Sequence, residues 1–93
     1  MALLDYGGLT TYDKQRNLLV GEIPGTTQTY TYSSDGKLVT QVDHKKGTTT
    51  IRTDVYTYGE TSITEVRMIT GIGSLTITTN LETLETSVVF TAA

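Results

Sequence analysis

The chain has no cysteine and no tryptophan, and it holds a single proline, a single phenylalanine and a single histidine. Without cysteine there is no disulfide framework, no thiolate metal site and no cysteine nucleophile, so a small domain held by covalent staples is excluded. With His44 alone, metal sites built from several imidazoles are excluded and a Ser-His-Asp triad has one residue to hang on. Excess positive charge is also missing: 7 basic residues stand against 10 acidic ones, for a net charge of −3 and an isoelectric point near 4.9. Neutralising phosphates takes a clustered excess of Lys and Arg, so no nucleic-acid partner is expected. The basic cluster His44-Lys45-Lys46, beside Gly47, reads as a solvated turn. Apolar runs are short, and none approaches the roughly 20 residues that span a bilayer. The opening Met1-Ala2-Leu3-Leu4-Asp5 carries neither a basic region nor a long apolar one, so neither a membrane partner nor a secretory signal is expected.

What is abundant is threonine, 21 of 93 residues, in a chain that is 37% apolar and 18% charged. That length allows one domain with a small core. A β-branched polar residue in such excess favours strands with at least one wet face. The pattern changes at Gly21-Glu22-Ile23-Pro24-Gly25, which reads as a hinge between an N-terminal segment, residues 1–25, and a body, residues 26–93. Before the hinge, Leu9 to Val20 carries a capping Thr10 or Thr11, an acidic residue early, basic residues later and a terminating Gly21, the pattern of a short helix. Leu9, Tyr12 and Leu19 share one side of it. A helix this short is marginal alone, so that side packs either on its own sheet or on a neighbouring chain.

After the hinge the period becomes alternating. Strands are expected over Thr27 to Ser33, Leu38 to Asp43, Thr48 to Tyr58, Ser62 to Thr70, around Leu75 and Ile77, and over Leu84 to Thr91, with an Asp35-Gly36 hairpin turn after the first. In Thr48 to Tyr58 one face is apolar and the other, with Arg52 and Asp54, is charged, and the shift of parity between Ile63 and Val66 predicts a bulge near Thr64-Glu65. The fold class is therefore mainly β: an antiparallel six-stranded meander, as an open sheet or small sandwich, preceded by a short N-terminal helix.

Chemistry is thin. The carboxylate pairs Glu82 with Glu85 and Asp54 with Glu65 read as solvated groups on a wet face rather than as an acid and base. Gly71-Ile72-Gly73-Ser74 lacks the Lys and the helix of a phosphate loop and reads as a turn. Tyr30, Tyr32, Tyr56 and Tyr58 are candidates for an exposed ligand face, since aromatic rings stack on sugars, although cross-strand pairing accounts for them too. No enzyme, no cofactor and no metal site is expected.

Two resemblances add context. Tyr30-Thr31-Tyr32-Ser33-Ser34-Asp35-Gly36-Lys37-Leu38 is similar to one unit of the YD repeat, a β-hairpin reading Tyr-x-Tyr-Asp-x-x-Gly-Arg-Leu, with Ser33 in place of its Asp and Lys37 in place of its Arg. Leu4-Asp5-Tyr6-Gly7-Gly8-Leu9-Thr10-Thr11-Tyr12-Asp13-Lys14 resembles the opening of many small bacteriophage virion proteins of the fibre and tail-module type. That resemblance implies an attachment or oligomerisation element followed by a β-rich body, with Leu9, Tyr12 and Leu19 at the assembly interface. It implies a non-enzymatic structural subunit of a virion, made in the host cytoplasm and joined to itself and to other virion proteins. The alternative is a small carbohydrate- or protein-binding β module.

Overall fold

A computed structural model describes residues 17–21 and 23–93. The body is mainly β. One antiparallel sheet holds six strands in chain order: β1 (Thr27–Tyr32), β2 (Val39–Lys46), β3 (Thr49–Tyr58), β4 (Ser62–Ile69), β5 (Gly73–Asn80) and β6 (Thr86–Ala92). The open-sheet form of the expected meander is therefore the one adopted. Most of the expected helix over Leu9 to Val20 lies outside the described residues, and within them the chain makes a single 3-10 turn, Asn17–Leu19.

Turn chemistry sets the hairpins. Between β1 and β2, Gly36 alone takes a positive φ of 75°, while Asp35 accepts from the Ser33 hydroxyl and the Lys37 amide. The loop is thus closed by a left-handed glycine and an Asx-type cap, not by a two-residue turn with both φ values positive. Those two hydrogen bonds, Ser33's first, hold the Asp35 carboxyl below the usual carboxylate range. Between β5 and β6, the Asn80 side chain accepts from the Glu82 and Thr83 amides, and Leu84 sits at φ 62°.

Two expectations are corrected here. Register runs without interruption through Thr64 and Glu65, on both sides of β4, so no bulge lies there. Ile63 and Val66 differ in parity because both faces of β4 carry apolar side chains. The register shifts fall between Thr31 and Tyr32 and between His44 and Lys45. His44 is also not in a turn: β2 continues through it to Lys46, and the reversal occurs at Gly47, with a φ of 65°.

Alternation divides the side chains between two faces. The row Thr31, Gln41, Val55, Val66, Thr76, Val89 crosses one face, and threonines fill much of the rest of it. The row Tyr30, Val42, Asp54, Arg67, Leu75, Phe90 crosses the other. Against that second face lies the strap formed by residues 17–21. Leu19, 1% exposed, packs with Ile69 and Ile72, and Leu18, Leu75 and Phe90 close around them. Among the described residues the buried apolar set is small: Leu19, Val42, Ile69 and Ile72.

Gly73 starts β5 at a φ of 136°, where a Cβ would overlap the Thr91 carbonyl oxygen on β6. Backbone strain and a clash with backbone both follow from any side chain there. Gly73→Ala should cost about 2–4 kcal/mol, read as a lower urea midpoint, because the β5–β6 ladder must spread to admit one methyl group.

Candidate functional site

The polar groups of the second face form a cluster. On β3, Arg52 and Asp54 sit two residues apart and share a side, and across on β2, His44 stands opposite Arg52. Arg52 Nε donates to Asp54 Oδ1 at 2.9 Å and Nη2 to Oδ2 at 3.1 Å, a two-point pairing of guanidinium and carboxylate. Arg52 Nη1 donates to the carbonyl oxygens of Leu18, at 2.7 Å, and Gly21, at 2.6 Å. Exposures of 6% for His44, 4% for Arg52 and 3% for Asp54 make this a buried charged core rather than a wet surface. Asp54 and Glu65 are therefore not the solvated carboxylates that the sequence leads one to expect, nor do they face each other as an acid and base: each is held by its own arginine.

His44 Nε2 lies 2.8 Å from Asp54 Oδ2 and 3.2 Å from Arg52 Nη2. A carboxylate accepts and a guanidinium donates, so Nε2 cannot serve both. The shorter, charge-assisted contact decides: Nε2 carries the proton and donates to Asp54. Nδ1 is buried without a hydrogen-bond partner among the described residues.

A second unit repeats the design on β4. Arg67 Nε donates to Glu65 Oε2 at 2.8 Å, and Nη1 donates to the carbonyl oxygens of Leu19 and Val20 at 2.9 and 2.5 Å. Tyr56 on β3 donates its hydroxyl to Glu65 Oε2 at 3.1 Å. Burial first, and the Glu65 charge second, push the Tyr56 phenol up to about 12. Two arginines, each fixed by a carboxylate two residues away on its own strand, thus grip four consecutive strap carbonyls, Leu18 to Gly21. A single turn of 3-10 helix leaves such carbonyls without internal partners, and the guanidinium forks supply them.

The phenol's position has a measurable consequence. Because the folded state holds Tyr56 neutral up to about pH 12, whereas a tyrosine in the unfolded chain ionises near pH ~10, stability is fully present below pH ~10 and is lost as pH rises through that window. An ultraviolet titration of the native chain should show a late tyrosine step that Tyr56→Phe removes.

The candidate residues of the sequence separate. Leu9 and Tyr12 lie outside the described residues. Leu19 is in the core of its own chain. Tyr30, 50% exposed, and half-buried Tyr56 line one shallow cleft of about 340 Å³ with Gln28, Val42, Arg67 and the strap at Gly21. Tyr32 lies beyond the register shift, and Tyr58 sends its hydroxyl to the Val39 carbonyl. Gly71 to Ser74 forms the β4–β5 turn and the start of β5, with Ile72 buried beneath it, and Glu82 and Glu85 are exposed at the β5–β6 turn. Among the described residues no group of three or more His, Asp and Glu side chains is placed to hold a metal ion, and no helix is long and apolar enough to cross a membrane. Comparison of the chain with family models, with curated proteins and with solved structures finds no match.

Proposed function

We propose that the chain is a non-enzymatic structural subunit of a bacteriophage virion that works by protein–protein contacts with copies of itself and with other virion proteins. The observation that carries the assembly part of this reading is the single-layer sheet. Among the described residues the buried apolar set is four side chains, while Leu81, Leu84, Val88, Val89 and Met68 stand 41–73% exposed. A sheet of this kind gains most by burying the face opposite the strap and its edges against neighbours. The virion part rests on the resemblance of Leu4 to Lys14 to the opening of small phage virion proteins.

The cleft holding Tyr30 and Tyr56 is what speaks for the alternative, a small binding module. Its charged groups, however, are engaged with one another and with the strap, an arrangement suited to fastening the chain's own N-terminal side. Light scattering on the pure protein separates the two readings. A particle several times the 10.1 kDa protomer is expected, together with many copies of the chain in purified phage particles. A folded monomer at every concentration, absent from the particles, would overturn the proposal.

A further inference from the structure

The two outer strands are unlike natural sheet edges. Strands that end a sheet are ordinarily guarded by charged side chains, proline or strong irregularity, because their outward N–H and C=O groups invite another strand. β1 reads Thr-Gln-Thr-Tyr-Thr-Tyr and β6 reads Thr-Ser-Val-Val-Phe-Thr-Ala, without a charge or a proline between them. Between them, β2, β3 and β4 all carry charges. Of the inner strands β5 alone is likewise uncharged, so both edges lack the charges that three of the four inner strands carry.

We infer that β6 of one copy pairs with β1 of the next, head to tail, so that the meander continues from chain to chain. This rests on the reading of the chain as an assembling subunit and names the surface it uses. Three features converge on it. First, direction: a meander of six strands leaves β1 and β6 running in opposite senses, so a copy translated across the sheet presents its β1 antiparallel to β6, and the alternation is unbroken. A pairing of β6 with itself would leave every β1 open.

Second, hydrogen bonding. The Asn80 amide donates to the Glu85 carbonyl and the Ala93 amide to the Ile72 carbonyl. Antiparallel pairs alternate between bonded and non-bonded positions, so Ser87, Val89 and Thr91 bond to β5, and the backbone groups of Thr86, Val88 and Ala92 point to the outer edge, where no strand of the described residues pairs.

Third, side-chain register. The continuous rows through the sheet place Thr31 of the next copy beside Val89, Thr29 beside Thr91 and Tyr30 beside Phe90. Those are β-branched and aromatic cross-strand pairs with no like charges opposed. At the end where β6 begins, exposed Leu84 and the acidic Glu82 and Glu85 meet the neighbour's β1–β2 turn, which carries exposed Leu38 and Lys37, while Asp35 there is occupied by Ser33 and its own loop. Leu84 also holds a left-handed backbone at φ 62°, a place where glycine or asparagine is unstrained, and a contact made by its side chain accounts for a leucine there.

The chain's lack of cysteine makes the test clean. Val89 bonds to β5, so its outer side is a non-bonded position, where facing Cα atoms come within disulfide range. Full-length Thr31→Cys and Val89→Cys variants are mixed in equal amounts and oxidised. The mixed Thr31–Val89 disulfide is expected in about tenfold excess over both like dimers. A second arm places like charges across the contact with Thr31→Lys and Val89→Lys in one chain, which should weaken association at least about tenfold while the circular dichroism spectrum is kept. Excess of the Val89 like dimer, or a Lys variant that assembles as the native chain does, overturns the head-to-tail contact and leaves the subunit reading standing. A native chain that never assembles overturns both.

Discussion

Arg52→Ala should bring the chain close to unfolding, with a loss of about 3–5 kcal/mol, the range found when one partner of a buried ion pair is removed. A domain of this length holds roughly 5–14 kcal/mol in all. The reason lies in what is left behind. Asp54, 3% exposed, loses its two-point partner and keeps His44 as its hydrogen-bond partner, with Arg67 opposite it on β4, and the carbonyls of Leu18 and Gly21 lose their donor. Arg67→Ala leaves a comparable set of partners, but Arg67 and Glu65 are half-buried, with side chains 20% and 16% exposed, so water replaces part of the loss and about 1–2 kcal/mol is expected. Arg52→Lys should recover little, because a lysine cannot make the two-point contact with Asp54 and reach two carbonyls together. Urea unfolding of the three variants checks the order. Equal, small effects of Arg52→Ala and Arg67→Ala would contradict a buried clamp.

Removing residues 1–21 should abolish cooperative unfolding of the remaining sheet. The sequence suggests the opposite, since the Gly21 to Gly25 hinge and the alternating strands downstream look like a boundary between an attachment segment and a self-sufficient body. Yet Leu19 is the most deeply buried apolar side chain among the described residues, against Ile69 and Ile72, and the strap carbonyls are the partners of Arg52 and Arg67. Leu19→Ala alone should cost about 2–5 kcal/mol, and truncation adds the loss of partners for Arg52 to that. Circular dichroism with a thermal scan reads the result. A truncated chain that melts with the native midpoint would restore the division at the hinge.

The strands were legible because their signals are local. Alternation of Thr with Val, Ile and Tyr, punctuated by Asp35-Gly36, Gly47, Gly59, Gly71 and Asn80, places every hairpin to within a few residues. The position of His44 was not, since Lys45, Lys46 and Gly47 follow it and a polar run ending in glycine looks the same whether the reversal starts at His44 or at Lys46. The inside of the sheet was hidden for a different reason. Ile51 and Val55 mark one side of β3 as apolar, and the usual inference buries that side, yet it is Arg52 and Asp54 that the strap covers. A signal was present: Arg52-x-Asp54 and Glu65-x-Arg67 each put opposite charges on one side of a strand. What no local pattern contains is the third partner, the run of strap carbonyls more than 30 positions away that makes burying those charges tolerable.

Nuclear magnetic resonance of the arginine side chains tests the central claim most directly, that the charged side of the sheet is its inside and grips the strap from Leu18 to Gly21. Arg52 should give slowly exchanging guanidinium protons at neutral pH, with nuclear Overhauser contacts to the Gly21 α-protons and the Leu18 backbone, and Arg67 should give contacts to Leu19 and Val20. Guanidinium protons that exchange as fast as those of a free arginine, with no contact to the strap, would contradict it.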